Sequence, residues 1–404
     1  MLTNTNKENE EQTVVKTYNT SGNYRVNLIT VAICILILSQ ILNPSSFSAG
    51  IGAIKIPFCI SFGLILIYSI NYGMRLKNFD IVITLGMVLS CVLSTVLSNV
   101  VSWDASGSSL VLCLLLYLSL SNIKLSSTAL TKILKFYTLV SFGLSLWILV
   151  NFLNGINIGW GGRATITVFG QMKDPNYLAS FLIFGFAYLT YSIISRKRTK
   201  TYLIIMDLII FAGIFFAGSR GGFLTVVFVI AVIVAKILFA DKFTARKVIM
   251  FLLVLLALGG GYTFLSNSVL SNRMLDMKSY SDNVRLLIWK EALSAFWNSP
   301  LFGSGIQSGG YYSEMRTQYA THNCYIDLLT GQGLFGVALI LISFSSYFKV
   351  PKCNLFFMIG MFASLFIPLF FINGYEAMTF WLPAILCRFI SDFCKKKDCE
   401  ELLW

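Results

Sequence analysis

Four residues stand out by chemical type and by place in the chain. His322 is the only histidine among 404 residues, and histidine is the side chain that most readily moves a proton near neutral pH. Arg220 lies in GSRGG, Arg163 in GGRATITVFGQMKDPNYLA, and Arg285 opens the stretch VRLLIWKEALSAFW. Guanidinium forks match phosphate and carboxylate oxygens. The glycines around Arg220 also leave backbone N–H groups open at a helix start, which favours an anion there. The set points to anion recognition plus one proton transfer. Plainer readings stand beside it. Arg220 could snorkel from a tight turn, Arg285 could be solvated on a helix surface, Arg163 shares that ambiguity, and His322 could be a structural hydrogen bonder. Asn176, with Asp174 and Pro175, reads as a turn and helix start. Asp327 follows His322 by five positions, about 140° round a helix, so it is not the obvious residue to orient the imidazole. It could instead bind sugar hydroxyls or a helix neighbour.

Other chemistries lack their residues. No DxD pair offers a metal–diphosphate clamp, and there is no Walker A loop or GxSxG elbow. One histidine and scattered acids make no convincing metal set, and nine cysteines without a CxxC pair give neither a zinc site nor a disulfide framework. No cofactor is expected.

The elements that must hold these residues are set by composition. Charged residues are 12% of the chain and hydrophobic ones 56%, against about 25% charged in ordinary soluble domains. That excess excludes a soluble enzyme, and disorder as well. The chain reads as an all-α polytopic membrane protein. Apolar runs long enough to cross a bilayer number about twelve, near residues 26–42, 56–73, 79–101, 105–121, 133–153, 176–195, 201–218, 222–240, 248–266, 323–348, 354–373 and 377–394. The N-terminus is polar and does not resemble a cleaved signal peptide. With it inside, 22 of the 31 Lys and Arg fall on the cytoplasmic side, as the positive-inside rule asks. The net charge of +13 is read that way, with membrane lipids rather than nucleic acid as the partner.

The expected organisation is a polar cytoplasmic tail over 1–25, transmembrane helices 1–9 over 26–266, an external catalytic loop over 267–322, transmembrane helices 10–12 over 323–394, and a cytoplasmic tail over 395–404. Within the external loop, Asn283 could cap a helix. Leu286, Trp289, Leu293, Phe296 and Trp297 form one stripe on it, facing either the membrane interface or the protein's own helices.

The order of these pieces resembles the O-antigen ligase and O-antigen polymerase superfamily of bacterial membrane glycosyltransferases. The resemblance covers about 160–340: Arg163 followed by DPNYLA, then GSRGG, then VRLLIWKEAL with NSPLFGSGI, then HNCYIDLLTGQGLFG. It implies a GT-C-like, metal-independent transferase in the bacterial inner membrane, its site facing the periplasm. The donor would be an undecaprenyl-diphosphate-linked oligosaccharide at the outer leaflet. Arg220 and Arg285 would hold the diphosphate, with Arg163 a further phosphate or sugar contact. His322 would be base on the acceptor hydroxyl, and transfer would invert the anomeric centre. Asn176, Asn323 and Asp327 are candidate acceptor or sugar contacts. The acceptor would be a second lipid-linked glycan in a polymerase, the reading the DPNYLA and HNCYIDLLTGQGLFG segments favour, or lipid A-core in a ligase. A chain-length regulator is a further expected partner. A rival of another class is a twelve-helix transporter or glycolipid flippase, for which Asp207 is the clearest mid-membrane ionisable group. The long external loop and the short link after the sixth run argue against the carrier plan.

Overall fold

The computed structural model describes residues 28–42, 56–72, 76–98, 105–159, 162–195, 200–239, 280–317 and 321–404. These residues are helical apart from short connections and two small hairpins. In chain order the helices are α1 (Leu28–Leu42), α2 (Ile56–Tyr72), α3 (Asn78–Val96), α4 (Ala105–Ser121), α5 (Ser127–Leu153), α6 (Pro175–Ser195), α7 (Thr201–Phe216), α8 (Arg220–Phe239), α9 (Tyr280–Asn298), α10 (Ser308–Thr317), α11 (Cys324–Ser345), α12 (Lys352–Phe366) and α13 (Met378–Cys394). Six of the described helices are long and apolar enough to cross a membrane: Asn78–Val96, Ser127–Leu153, Pro175–Ser195, Arg220–Ile237, Cys324–Phe348 and Lys352–Phe371. Shorter apolar helices cover Leu28–Leu42, Pro57–Asn71, Gly107–Ser121 and Thr201–Phe216. The run near 248–266 lies outside the described residues.

The outer surface carries large aliphatic side chains such as Ile70, Leu85, Val96 and Leu208, each more than half exposed. In water such a surface would aggregate; against lipid tails it costs nothing. Inside, α6 is the most enclosed of the six candidate spans and packs on α5, α7, α8 and α12.

Helix starts follow local chemistry. Ser126 Oγ accepts the Ala129 amide at 3.1 Å ahead of α5. Pro175 is the first residue of α6, where its missing N–H is harmless, and Asp174 Oδ1 accepts the Asn176 amide at 2.6 Å. Asn323 Oδ1 accepts the amides of Tyr325 and Ile326 ahead of α11.

Helix α11 is broken at Gly333, where φ is 63° and ψ is −167°. The amides of Leu334 and Phe335 turn away from their own helix to the carbonyls of Pro300 and Leu301, at 2.9 and 3.0 Å. In exchange, Thr330 O accepts the Ser304 amide at 2.8 Å and the Ser308 hydroxyl at 3.1 Å. The segment after α9 is therefore stitched into the break. Glycine makes the approach close enough: a Cβ on Gly303 would sit 2.4 Å from the Gly331 carbonyl carbon.

Three expectations change. Helix α9 begins at Tyr280, so Asn283 lies inside it and is not its cap. Of the stripe expected on α9, Phe296 is buried, Trp289 and Leu293 are half-buried, and Leu286 and Trp297 are exposed. The buried face is Ile288, Ala292, Ala295 and Phe296, because small residues let the helix approach α10 and α11 closely. Residues 395–404, expected as a tail, fold back onto the bundle. Cys399 and Leu402 are buried, Tyr188 Oη donates to Leu402 O, and Trp404 N donates to Ser192 Oγ at 3.3 Å.

Gly303→Ala tests the stitched break. Gly303 has φ 80°, so alanine carries a left-handed cost of about 1–2 kcal/mol before any clash. A lowered unfolding temperature in detergent, larger than that of Gly310→Ala, is expected; equal temperatures would contradict the packing.

Candidate active site

The predicted residues gather where α6, α8 and α11 begin. Arg163 lies on the strand Arg163–Ala164, which pairs antiparallel with Ile158–Gly159. Its Nη2 donates to Asn176 Oδ1 at 2.7 Å and its Nε to Ala217 O at 3.2 Å. It thus bridges the start of α6 and the turn that carries Arg220. Arg220 is the first residue of α8, half-buried, and Ser219 Oγ accepts the Gly222 amide at 3.2 Å.

Arg285 is half-buried on α9, and its guanidinium carbon lies 6.0 Å from the ring centroid of Phe371. The same ring covers Gly221, where a Cβ would come within 2.0 Å of it. Glycine at 221 is required by that contact. Phe371 therefore touches both the helix start that carries Arg220 and the guanidinium of Arg285.

His322 is half-buried with φ 48°. A left-handed backbone costs a non-glycine residue about 1–2 kcal/mol. Burial holds its imidazole below the ordinary histidine range; Arg285 and Arg163 push the same way, and the Asp174 carboxylate opposes them. These three groups are thus electrostatic neighbours of the histidine, and the net shift favours the neutral imidazole, the form that can accept a proton. Lys173, next to Asp174, is buried and pushed down to about 8 by that burial.

The three candidate contact residues are already engaged. Asn176 accepts from Arg163. Asn323 is buried and caps α11. Asp327 is buried and accepts from Thr321 Oγ1 at 2.5 Å. Their side chains hold the frame around the arginines and the histidine. Sequence reasoning treated Asp174 only as a turn residue and did not single out Phe371, Thr321 or the Trp289 N–H. These act across separations of tens to hundreds of positions, and no local spacing announces them.

The fold and the site describe a polytopic helical membrane protein with three arginines and the single histidine brought to one end of its helices. Residues 205–341 match the family model described as O-antigen ligase. This match agrees with the resemblance to the O-antigen ligase and polymerase superfamily that the order of the motifs implied. That segment contains Arg220, Arg285 and His322, while Arg163 and Asn176 precede it. No curated protein matches the chain.

Because the chain has one histidine, a histidine-labelled sample gives a single imidazole titration by NMR. Its midpoint is expected below about 6.5, the ordinary value. Asp174→Asn removes the group that raises it, so the midpoint falls further; Arg285→Gln removes a group that lowers it, so the midpoint climbs. A wild-type midpoint above the ordinary value, or shifts of the opposite sign, would refute this electrostatic arrangement.

Proposed function

We propose that the protein is a membrane glycosyltransferase that takes a glycan from undecaprenyl diphosphate at the outer leaflet and extends a surface polysaccharide such as O-antigen. The observation that carries the reading is the gathering of Arg163, Arg285 and His322 within electrostatic reach of one another, inside or beside a segment matched to O-antigen ligase.

The chemistry follows from those groups. An imidazole nitrogen of His322 takes the proton of the acceptor hydroxyl, and the freed oxygen attacks the anomeric carbon. The bond from that carbon to the diphosphate oxygen breaks, and its electron pair leaves with the diphosphate. Arg220 and Arg285, with Arg163 beside them, stabilise the charge gathering on the leaving group, the role that preorganised cations fill in other phosphate departures. One displacement inverts the anomeric centre.

An apolar groove of about 210 Å³ supports a lipid-linked donor. It runs between α8, α11 and α12, lined by Phe228, Tyr325, Phe362, Phe366 and Phe370 among others. Its lining residue Phe370 precedes Phe371, whose ring centroid lies 6.0 Å from the guanidinium carbon of Arg285. A diphosphate on the arginines would send its prenyl chain along these rings without exposing it to water. For the rival carrier, Asp207 is the expected ionisable group; its Oδ2 accepts from Thr190 Oγ1 at 2.8 Å across the α6–α7 contact, which suits a structural role.

The deciding experiment uses the source strain lacking this gene, complemented with wild type or His322→Ala. Surface glycans and lipid-linked intermediates are resolved together. A ladder collapsed to lipid A-core bearing one repeat supports polymerisation. Bare lipid A-core with long chains retained on undecaprenyl diphosphate supports ligation instead. His322→Ala is expected to reproduce the deletion, since loss of a general base lowers a rate by about 10²–10⁴. Full activity in that variant, with loss only in Asp207→Asn, would overturn the transferase reading in favour of transport.

The groove is tested separately with Ala363→Trp, which fills it. The KM for a full-length polyprenyl donor should rise several-fold while a short-prenyl donor is used as before. Equal effects on both donors would remove the groove from the binding path.

A further inference from the structure

His322 holds a left-handed backbone between two residues that are both tied down. Behind it, Thr321 is fully buried. Its carbonyl accepts the indole N–H of Trp289 at 3.0 Å. Its hydroxyl donates to Asp327 Oδ1 at 2.5 Å, in the first turn of α11, and lies 3.3 Å from Asn373 Oδ1. Asn373 is in turn held through its backbone by Tyr177 Oη, with the Asn373 amide at 3.2 Å and the Asn373 carbonyl at 3.0 Å. Ahead of it, Asn323 is buried and its side-chain oxygen accepts the amides of Tyr325 and Ile326.

None of these bonds reaches the imidazole; all of them fix the backbone on which it stands. A residue in a sparsely populated conformation persists only where its surroundings over-determine it. An indole nitrogen is a donor only, so Trp289 can make this contact in one sense. Trp289 is also four residues after Arg285 on α9, hence on the same helix face. The contact registers the helix bearing Arg285 against the loop bearing His322. From Thr321 the bonds continue through Asn373 to Tyr177, the neighbour of the Asn176 that holds Arg163.

We propose that Trp289 and Thr321 are positioning residues that set the imidazole of His322 for proton transfer. This rests on the reading of His322 as the base. A displacement of about 1 Å at a reacting group can cost roughly a hundredfold in rate, which leaves ample effect to measure.

The test uses the full chain in nanodiscs with a lipid-linked glycan as donor and acceptor. Trp289→Phe deletes one N–H and keeps an aromatic ring. Thr321→Val deletes the hydroxyl, and Thr321→Ser restores it. Trp289→Phe and Thr321→Val are expected to lower kcat about tenfold or more, with Thr321→Ser within about twofold of wild type. In a His322→Ala background the same two changes should cost less than about twofold, because a positioning residue has nothing left to position. Losses that multiply in full in that background would overturn the proposal, as would wild-type kcat in both variants. If Thr321→Val fails to fold, Trp289→Phe alone decides the matter. If His322→Ala itself proves active, the base reading fails. The clamp is then judged by the single histidine NMR signal: a moved signal in Trp289→Phe upholds it, and an unmoved one refutes it.

Discussion

The exchange of hydrogen bonds at Gly333 is the constraint on which the rest of the active-site end depends. A helix that stops and restarts inside a bundle leaves amides and carbonyls that cost several kcal/mol each in a medium without water. Here the carbonyls of Pro300 and Leu301 take two of the amides, and Thr330 O is taken by Ser304 and Ser308. The segment after α9 is thereby fixed to α11 at the point where α11 would otherwise fail. Helix α9 stands on one side of that junction and His322 on the other. The separation of Arg285 and His322 follows from a backbone repair, with side-chain contacts such as Trp289 to Thr321 refining it.

A second constraint comes from the short 3₁₀ turn Ile367–Phe371 that ends α12. It packs on α6, α8, α11 and α12 together. Phe371 fills the space that Gly221 leaves and lies near Arg285, while the ring of Phe370 sits tilted against Tyr325, centroids 4.3 Å apart, where both line the apolar groove. One ring thus lies near Arg285 and its neighbour lines the apolar groove. A molecule with a charged head and a prenyl tail needs those two environments side by side.

Much of this was legible from residue type and spacing. Apolar runs marked the helices, because lipid demands continuous hydrophobic stretches. Arg163, Arg220, Arg285 and His322 stood out because they are rare chemistry in an apolar chain, and the matched segment contains three of the four. What escaped was set by distant partners. The stripe on α9 was judged by hydrophobic bulk, whereas the helix buries Ala292 and Ala295 because closeness to α11 rewards small residues. Asp327 was weighed as a sugar ligand from its position relative to His322, but its oxygen is taken by Thr321, one residue before the histidine. A helical wheel could not show that, since His322 is not in the helix. The chain end from Cys399 looked polar and free, yet it packs through Leu402 and through backbone caps from Asn354.

The electrostatics give these parts a common logic. Partial burial, and after it the nearby arginines, oppose protonation of His322 and favour the neutral imidazole that can accept a proton. The same arginines would weaken it as a base if their charge were never offset. On the transferase reading, the donor brings the offsetting charge: a diphosphate among Arg163, Arg220 and Arg285 cancels much of the positive field and makes imidazolium easier to form. Base strength then rises only when a donor is in place, and proton removal from an acceptor is tied to the presence of a glycan to transfer. Asp174, the carboxylate that acts on His322 from the start of α6, sets how far the imidazole is held down before that moment. A site of this kind needs its cations close to the base and its base partly shielded from water. Those two features are what the stitched break at Gly333 and the ring of Phe371 hold in place.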